Sequence, residues 1–448
     1  MKRLGYLLLK YSSSLRHWLR LHISLAGTVY FFLLVGSAVL GLDTNQTTVY
    51  QLFSLLVAIG LIGFLFCLFF RVDIGVQRQL PRFVTAGERF NYRLVATNHH
   101  KKGLSGLVVL DEPLFEYPTF IEFSKGLTTP ADEKTKGVMG RLVEKSRWSR
   151  LIDKRLMGRA NSYPLDDLAA NRSEEITLQL TPLRRGILRF SKVTFGRPDP
   201  FGLFRTLAPV SCEGSLVVLP RRYPLPPIDL SGRRKYQPAG VALASSVGDS
   251  QEFMSIRDYR PGDPPRTIHW RSWAKSGRPM VKEFQDEYFS RHGLILDTCG
   301  KGDGDRCFEE AVSVAASLAC TVVTRDSLLD LLFVDRRAYC FTSGRSVGHQ
   351  EKLLEILASL QASSSRNFDE LSSLVSGRIN LLSSCIAIFL DWDRPRQELV
   401  NTLAVQKIPV LSLVISEKEV PGEAGGAGTN NRLHWLHPGK IGEGLAAL

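Results

Sequence analysis

The absences in this sequence narrow it first. It contains no Cys-x-x-Cys pair, and no His stands at zinc-ligand spacing from two cysteines, which excludes the common structural zinc modules. Its seven cysteines, Cys67, Cys212, Cys299, Cys307, Cys320, Cys340 and Cys385, are scattered, several of them in apolar runs. They read as reduced thiols rather than a disulfide framework. There is no Gly-x-x-x-x-Gly-Lys-Ser/Thr loop, no His-Glu-x-x-His and no Gly-x-Ser-x-Gly, so the usual nucleotide-hydrolysing, zinc-protease and serine-hydrolase signatures are missing. The expectation is a chain that is not an enzyme, needs no cofactor and does not hydrolyse ATP. Acidic residues are also short, 44 against 57 basic ones, leaving a net charge of +13. Such a balance suits nucleic acid or an anionic membrane surface. The membrane reading is preferred, because cytoplasmic parts of membrane proteins already carry excess Lys and Arg.

What is present begins with two uncharged runs. Residues 23–42 read ISLAGTVYFFLLVGSAVLGL and residues 49–70 read VYQLFSLLVAIGLIGFLFCLFF. Each is about 20 residues, the length that crosses a bilayer as a helix. The short polar DTNQTT between them makes a two-helix transmembrane hairpin within an N-terminal segment of residues 1–71. Lys2, Arg3, Lys10, Arg16 and Arg20 precede the first run, and Arg71, Arg78 and Arg82 follow the second, whereas the loop carries only Asp43. The excess of Lys and Arg on the flanks predicts that both termini and the soluble region are cytoplasmic.

Residues 72–220 alternate with a period of two, as Phe90, Tyr92, Leu94 and Ala96 do, and predict a β-sandwich of Ig-like character. An insertion of about residues 112–170 interrupts it. Within that insertion KSRWSRLIDKRLMGR is a basic amphipathic helix with Trp148, Leu151, Ile152 and Leu156 on one face. That face suits either an anionic lipid surface or packing on the sandwich or a partner. Residues 221–290 hold a Pro-rich linker and a dense mixture of Arg, Asp, Trp, Gly and Pro. From residue 291 to 448 short apolar strands alternate with helices: HGLILDT, SLLDLLFVD, SCIAIFLDWD and IPVLSLVIS are the strands. They predict a parallel sheet with right-handed crossovers. The helix between the first two should bury Phe308, Ala311, Val312, Ala315 and Ala319. A Gly-rich stretch, EVPGEAGGAGTNN, reads as a flexible loop.

The segment between the β-rich and α/β regions carries Glu252-Phe253, then Arg257-x-Tyr259-x-x-Gly262-Asp263, then Arg266-x-Ile268-x-Trp270, then Ala274-Lys275. Tyr259-Arg260-Pro261-Gly262 fits a type II turn. The arginines Arg257, Arg260, Arg266 and Arg271 can pair with Glu252, Asp258, Asp263, Glu283 or Glu287. Together with RRGILRF and RPDPFGLFR upstream, this segment resembles the signature of the Domain of Unknown Function 58 (DUF 58) family. His269 stands where Asp is usual in that signature, and Lys275 where Arg is usual. The resemblance implies a membrane-anchored α+β multidomain fold: a transmembrane hairpin, an Ig-like sandwich and a von Willebrand factor A-like (Rossmann-type) α/β domain. It also implies a bacterial inner membrane location, a MoxR-type AAA+ ATPase as partner and, in some members, a transglutaminase-like membrane protein. Nucleic acid is not an expected partner.

Von Willebrand factor A-like domains often hold Mg²⁺ through Asp-x-Ser-x-Ser after their first strand. Here that loop reads Asp297-Thr298-Cys299-Gly300-Lys301, so a thiol and a cation replace the two hydroxyls. Asp297 and Asp391 remain as weak metal candidates at strand ends, with Asp303, Asp305 and Asp393 nearby in sequence. The preferred reading is that these carboxylates cap helices and pair with Lys301 or Arg394. The expected role is an adaptor or scaffold acting with the ATPase in protein-complex assembly or envelope stress, with the segment from Glu252 to Lys275 as structural or partner-binding residues. The alternative is a metal-dependent enzyme using Asp297 and Asp391 on an envelope-related substrate.

Overall fold

The computed structural model describes residues 2–40, 47–68, 72–125, 138–165, 167–226, 228, 253–263, 265–284, 290–300, 305–322, 327–335, 337–344, 347–362, 368–417 and 431–448. Glu252, Glu287, Lys301, Asp303 and most of the expected Gly-rich loop lie outside these residues. The chain forms two compact units, Met1–Leu219 and Pro220–Leu448.

The first unit opens with three helices, α1 (Lys2–His22), α2 (Leu25–Leu40) and α3 (Thr47–Leu68). Among the described residues one helix, 48–68, is long and apolar enough to cross a membrane, with a mean hydropathy of 2.4. Of the expected pair of spans one meets the length, and α2, with 16 residues among those described, falls short of it. The physical reason lies at residues 23 and 24. Ser24 donates its amide to Leu203 O and its hydroxyl to Gly202 O, and Ile23 bridges to Phe204. These tertiary bonds end α1, and Ser24 Oγ then accepts from the amide of Gly27 at the start of α2.

Two sheets follow. One has the order β1 (Ile74–Gln79), β3 (Phe90–Asn98), β7 (Ser173–Pro182), β5 (Gly158–Ala160). The other has the order β2 (Phe83–Thr85), β9 (Arg205–Leu219), β8 (Gly186–Pro198), β4 (Leu107–Leu110), β6 (Ser162–Leu165). All pairings are antiparallel except β2 with β9. The predicted alternation holds in β3, where Tyr92, Leu94 and Ala96 point into a core shared with Leu178, Leu188, Phe195 and Val218. A buried pair crosses this core: Arg78 makes two bonds to Asp111, at 2.9 and 2.7 Å, and Tyr92 donates to the same carboxylate at 2.8 Å. The insertion is not wholly separate from the sheets, since β5 and β6 come from it. It also supplies α4 (Phe120–Lys125) and α5 (Val138–Arg155). Trp148 of α5 is buried and donates to Ser13 Oγ of α1 at 2.7 Å. Of the two readings of that amphipathic helix, Trp148 thus follows packing, not lipid.

In the second unit β10 (Phe253–Asp258) pairs antiparallel with β11 (Met280–Phe284), and α6 (Trp270–Ser276) lies between them. Then comes a six-stranded sheet of order β14 (Ala338–Ser343), β13 (Ser327–Val334), β12 (Ser290–Leu296), β15 (Ser384–Phe389), β16 (Val410–Ile415), β17 (Asn431–Leu436). Only the edge strand β14 is antiparallel. The four strands predicted from apolar runs are β12, β13, β15 and β16. Their continuous hydrophobicity matches burial on both faces. The helices are α7 (Arg306–Val322), α8 (Val347–Ser359), α9 (Phe368–Ser376), α10 (Arg394–Val405) and α11 (Ile441–Ala446). All five residues expected on the buried face of α7 are buried. From β12 the chain moves one way to β13, then returns past β12 to β15 and onward. The strand order reverses between β12 and β15, and open α/β sheets place functional crevices outside the carboxyl ends at such points.

Candidate functional site

Two places gather the residues singled out in the sequence. The first is the β10–β11 ribbon. Asp263 N donates to Arg260 O at 3.1 Å, closing a turn over Arg260–Asp263 with Pro261 second and Gly262 third at φ 109°. This is one residue later than the turn read from the sequence. Proline can fix φ at the second position of a type II turn, and the third needs the positive φ that glycine accepts, so Arg260 must come first. Arg257 grips Asp263 through two bonds of 2.7 and 2.8 Å, and the same carboxylate accepts from the amide of Arg260 at 2.8 Å. These bonds, the Arg257 guanidinium foremost, hold the Asp263 carboxyl down to about 2.

The other signature residues sit differently. Tyr259 is 37% exposed and Trp270 is 64% exposed, with the Trp270 ring stacked on Trp273 at 5.3 Å between centroids. Ala274 and Lys275 are exposed on α6. His269 places its Nδ1 2.7 Å from Ser272 Oγ and donates its amide to Met280 O, which ties α6 to β11. Tyr259 and Trp270 thus face outward. They are surface groups, carried by a ribbon whose turn is set by Arg257, Gly262 and Asp263. Phe253 lies at the start of β10, and Arg266 in a short 3-10 turn, Pro265–Thr267.

The second place is the reversal point of the six-stranded sheet. Asp297 directly follows β12 and is fully buried. Its Oδ1 accepts from Cys299 N at 2.9 Å. Its Oδ2 accepts from Leu390 N at 3.3 Å and from the Nε of Arg396 at 2.8 Å, with the Nη2 of Arg396 also 2.7 Å away. Arg396, in the first turn of α10, also bonds Asp393, the N-cap of that helix, and lies over the Phe368 ring at 4.7 Å. Thr298, whose hydroxyl is one of the few left in the loop, is buried and donates to Val334 O. Asp391 is exposed, and its Oδ1 accepts from Trp392 N.

A divalent ion at Asp297 does not fit this arrangement. A guanidinium already lies against its carboxylate in a buried site, where like charges repel most. Among the described residues no three His, Cys, Asp or Glu side chains gather as a metal set would require. The expectation that Arg394 or Lys301 would neutralise these acids is corrected in part, since Arg396 does so for Asp297 and Asp393, while Arg394 pairs with Glu398 at 2.7 Å. The signal was present in the sequence as an arginine one turn after a strand-end acid, but two such arginines, Arg394 and Arg396, compete there. Their position on the helix decides which points inward.

The comparisons bear on these two places. Residues 255–378 match the family described as protein of unknown function DUF58. That match spans the β10–β11 ribbon, Asp297 and the helices through α9. The uncharacterized protein YeaD of Bacillus subtilis is 26% identical over 191 residues, which is 42% of this chain and 46% of that protein. The chain thus spans less than half the length of this relative. Among solved structures, the CARDB domain of a Pyrococcus furiosus protein aligns with 33% of this chain and 89% of its own, at 12% identity and a TM-score of 0.19. The native conformation of E. coli alpha-2-macroglobulin aligns with 37% of this chain and 8% of its own, at 14% identity and a TM-score of 0.19. At such scores the likeness supports no conclusion about fold or function.

Proposed function

We propose that this protein is a bilayer-anchored interaction protein whose α/β unit, read as von Willebrand factor A-like, binds a MoxR-type AAA+ ATPase without a metal ion of its own. The partner comes from the family resemblance. The metal independence rests on one observation, the Asp297 carboxylate neutralised by Arg396. An adhesion-type site presents a metal with an open position to a partner's carboxylate; here the positive charge is covalently part of the protein and buried. Contact with the ATPase then relies on the surface near the strand ends and on the exposed Tyr259 and Trp270.

Anchoring rests on α2 and α3, most of whose apolar side chains are exposed. The start of α2 and the end of α3 meet the same hairpin between β8 and β9. A Cβ on Gly27 would lie 2.2 Å from Leu203 O, one on Gly63 would lie 2.9 Å from Asp199 Oδ2, and Arg197 lies over the Phe66 ring at 5.1 Å. This supports α2 and α3 entering the bilayer together with both flanks on one side. The basic flanks support the cytoplasm as that side, and the family resemblance supplies the bacterial inner membrane.

The test is co-isolation of the full chain with the ATPase, held in a nucleotide-free assembled form, with and without a chelator. Retention in both is expected. Chelator-dependent binding by the wild-type chain refutes metal independence, and absence of the ATPase in every condition refutes the partner.

A further inference from the structure

Helix α1 has two faces of different kind. On one, Tyr6, Ser13 and His17 dock onto the protein. The Tyr6 hydroxyl donates to Pro118 O at 3.1 Å, and its ring meets Phe120, Phe123 and Trp148 at 5.6 to 5.8 Å. Ser13 Oγ accepts from Trp148 Nε1, and His17 Nε2 lies 3.4 Å from Glu112. On the opposite face Leu4, Leu8, Tyr11, Leu15, Trp18 and Leu19 form a stripe about 100° wide at 3.6 residues per turn. Each is between 36% and 69% exposed. The docked face excludes the idea that the helix simply rotates to hide the stripe.

Something must cover these side chains, and the charge pattern says what. The helix Lys2–His22 contains no Asp or Glu. Arg3 and Lys10 lie beyond one edge of the stripe and Arg16 beyond the other; Arg3 lies over the Phe120 ring at 5.5 Å and Arg16 bonds Ser12 O and Ser13 Oγ, so they fix positive charge beside the stripe, where phosphate headgroups meet a helix whose apolar side sinks. Its cations rule out a bilayer span, and its length of 21 residues is ample for an in-plane helix. Its end lies two residues before α2, so the stripe is continuous in sequence with the exposed apolar surface of α2 and α3. Resting on the anchoring reading above, we propose that α1 is an interfacial helix lying in the plane of an anionic phospholipid bilayer, with Leu4, Leu8, Leu15 and Trp18 in the acyl boundary and Tyr6, Ser13 and His17 carrying the soluble part of the unit. Such a helix sets the soluble sheets at a fixed attitude to the membrane, which a tether of spanning helices alone does not.

The test uses the full chain reconstituted into vesicles of phosphatidylcholine, alone or mixed with phosphatidylglycerol, with brominated acyl chains. Bromine quenches tryptophan only on contact, so the informative quantity is the quenching present in wild type and absent from Trp18→Phe. We expect such a component, larger in the anionic vesicles. We also expect it to be lost in a Leu8→Glu and Leu15→Glu double variant that still floats with the vesicles. Both positions are on the exposed face, so the variant leaves the docked face of α1 intact. No Trp18-dependent quenching in a chain that floats with the vesicles overturns the α1 assignment and leaves the anchor standing. Cross-linking between copies through Leu15→Cys, in place of quenching, gives the stripe to a second copy of the chain and equally overturns it. A chain that does not float with vesicles refutes the anchor and this inference together.

Discussion

Replacing Arg396 by alanine is the most demanding test of the second unit. The change strips the fully buried Asp297 of its cation and leaves it, among the described residues, the amides of Cys299 and Leu390. Removing one partner of a buried pair costs about 3–5 kcal/mol, because the remaining charge stays desolvated. At 1.36 kcal/mol per power of ten, that is roughly two to four powers of ten in the population of the open state. The assay is native-state hydrogen exchange on the detergent-solubilised chain, read at the amides of β12 and β15, which flank the site and belong to the most protected part of the sheet. Protection there should fall by that factor in Arg396→Ala and less in Arg396→Lys, which keeps the charge but loses the planar fork. Most of it should return when Asp297→Asn is combined with Arg396→Met, since no orphan charge is then buried. Added Mg²⁺ should leave wild-type protection unchanged. A loss below threefold in Arg396→Ala, or wild-type protection that rises with Mg²⁺, refutes the internal-cation argument.

Other outcomes follow from the same geometry. Trp148→Ala should cost about 3–5 kcal/mol at the α1–α5 contact and release α1 to limited proteolysis, with β3 and β7 remaining protected. His17 is held above its ordinary range by its bond to Glu112, so the docking of α1 is fully supported below about pH 6.5 and weakens as pH rises through the raised value; a pH series of proteolysis rates should show this and flatten in His17→Gln. Asp263 is held down, so the ribbon's turn keeps its support above about pH 4 and loses it only as pH falls towards 2; fluorescence of the Trp270–Trp273 pair should change in that window and not in Asp263→Asn. Gly262→Ala forces a side chain into φ 109° and should cost about 1 kcal/mol or more, read as a lower melting point of the ribbon.

Much of the second unit was legible because parallel strands buried on both faces must be apolar throughout, and β12, β13, β15 and β16 are. The β14 edge was not, because AYCFTS carries no run of that kind and its pairing depends on β13. In the first unit the period of two marked β3, while β9 is less legible along its length. Its N-terminal half, Arg205 to Glu213, is shaped by its register with β8 and by the turn that Asp199 holds through the amide of Phe204 at 2.8 Å. The α1 stripe was present as Leu4, Leu8, Tyr11, Leu15 and Trp18, yet the same stretch also reads as a basic flank of a membrane span. Charge counting and periodicity answer different questions, and only the exposure of one face together with the docking of the other separates them. Trp148 could not be assigned from sequence, since its partner Ser13 lies 135 residues away.

Four acidic residues that help build the fold share a fate. Asp111 is taken by Arg78 and Tyr92, Asp199 by the amides of its own turn, Asp263 by Arg257, and Asp297 by Arg396. Each carboxylate accepts bonds that fix a turn, a strand end or a core, and a group so engaged is a poor general base, since its lone pairs are already committed. What the described residues leave presented is of another kind: the stacked Trp270 and Trp273, Tyr259, and the apolar stripe of α1. Aromatic and aliphatic groups held outward on a rigid frame suit surface contact. On the proposed interaction reading the two contacts fall on different parts of the chain: lipid on α1, protein on the ribbon and strand ends.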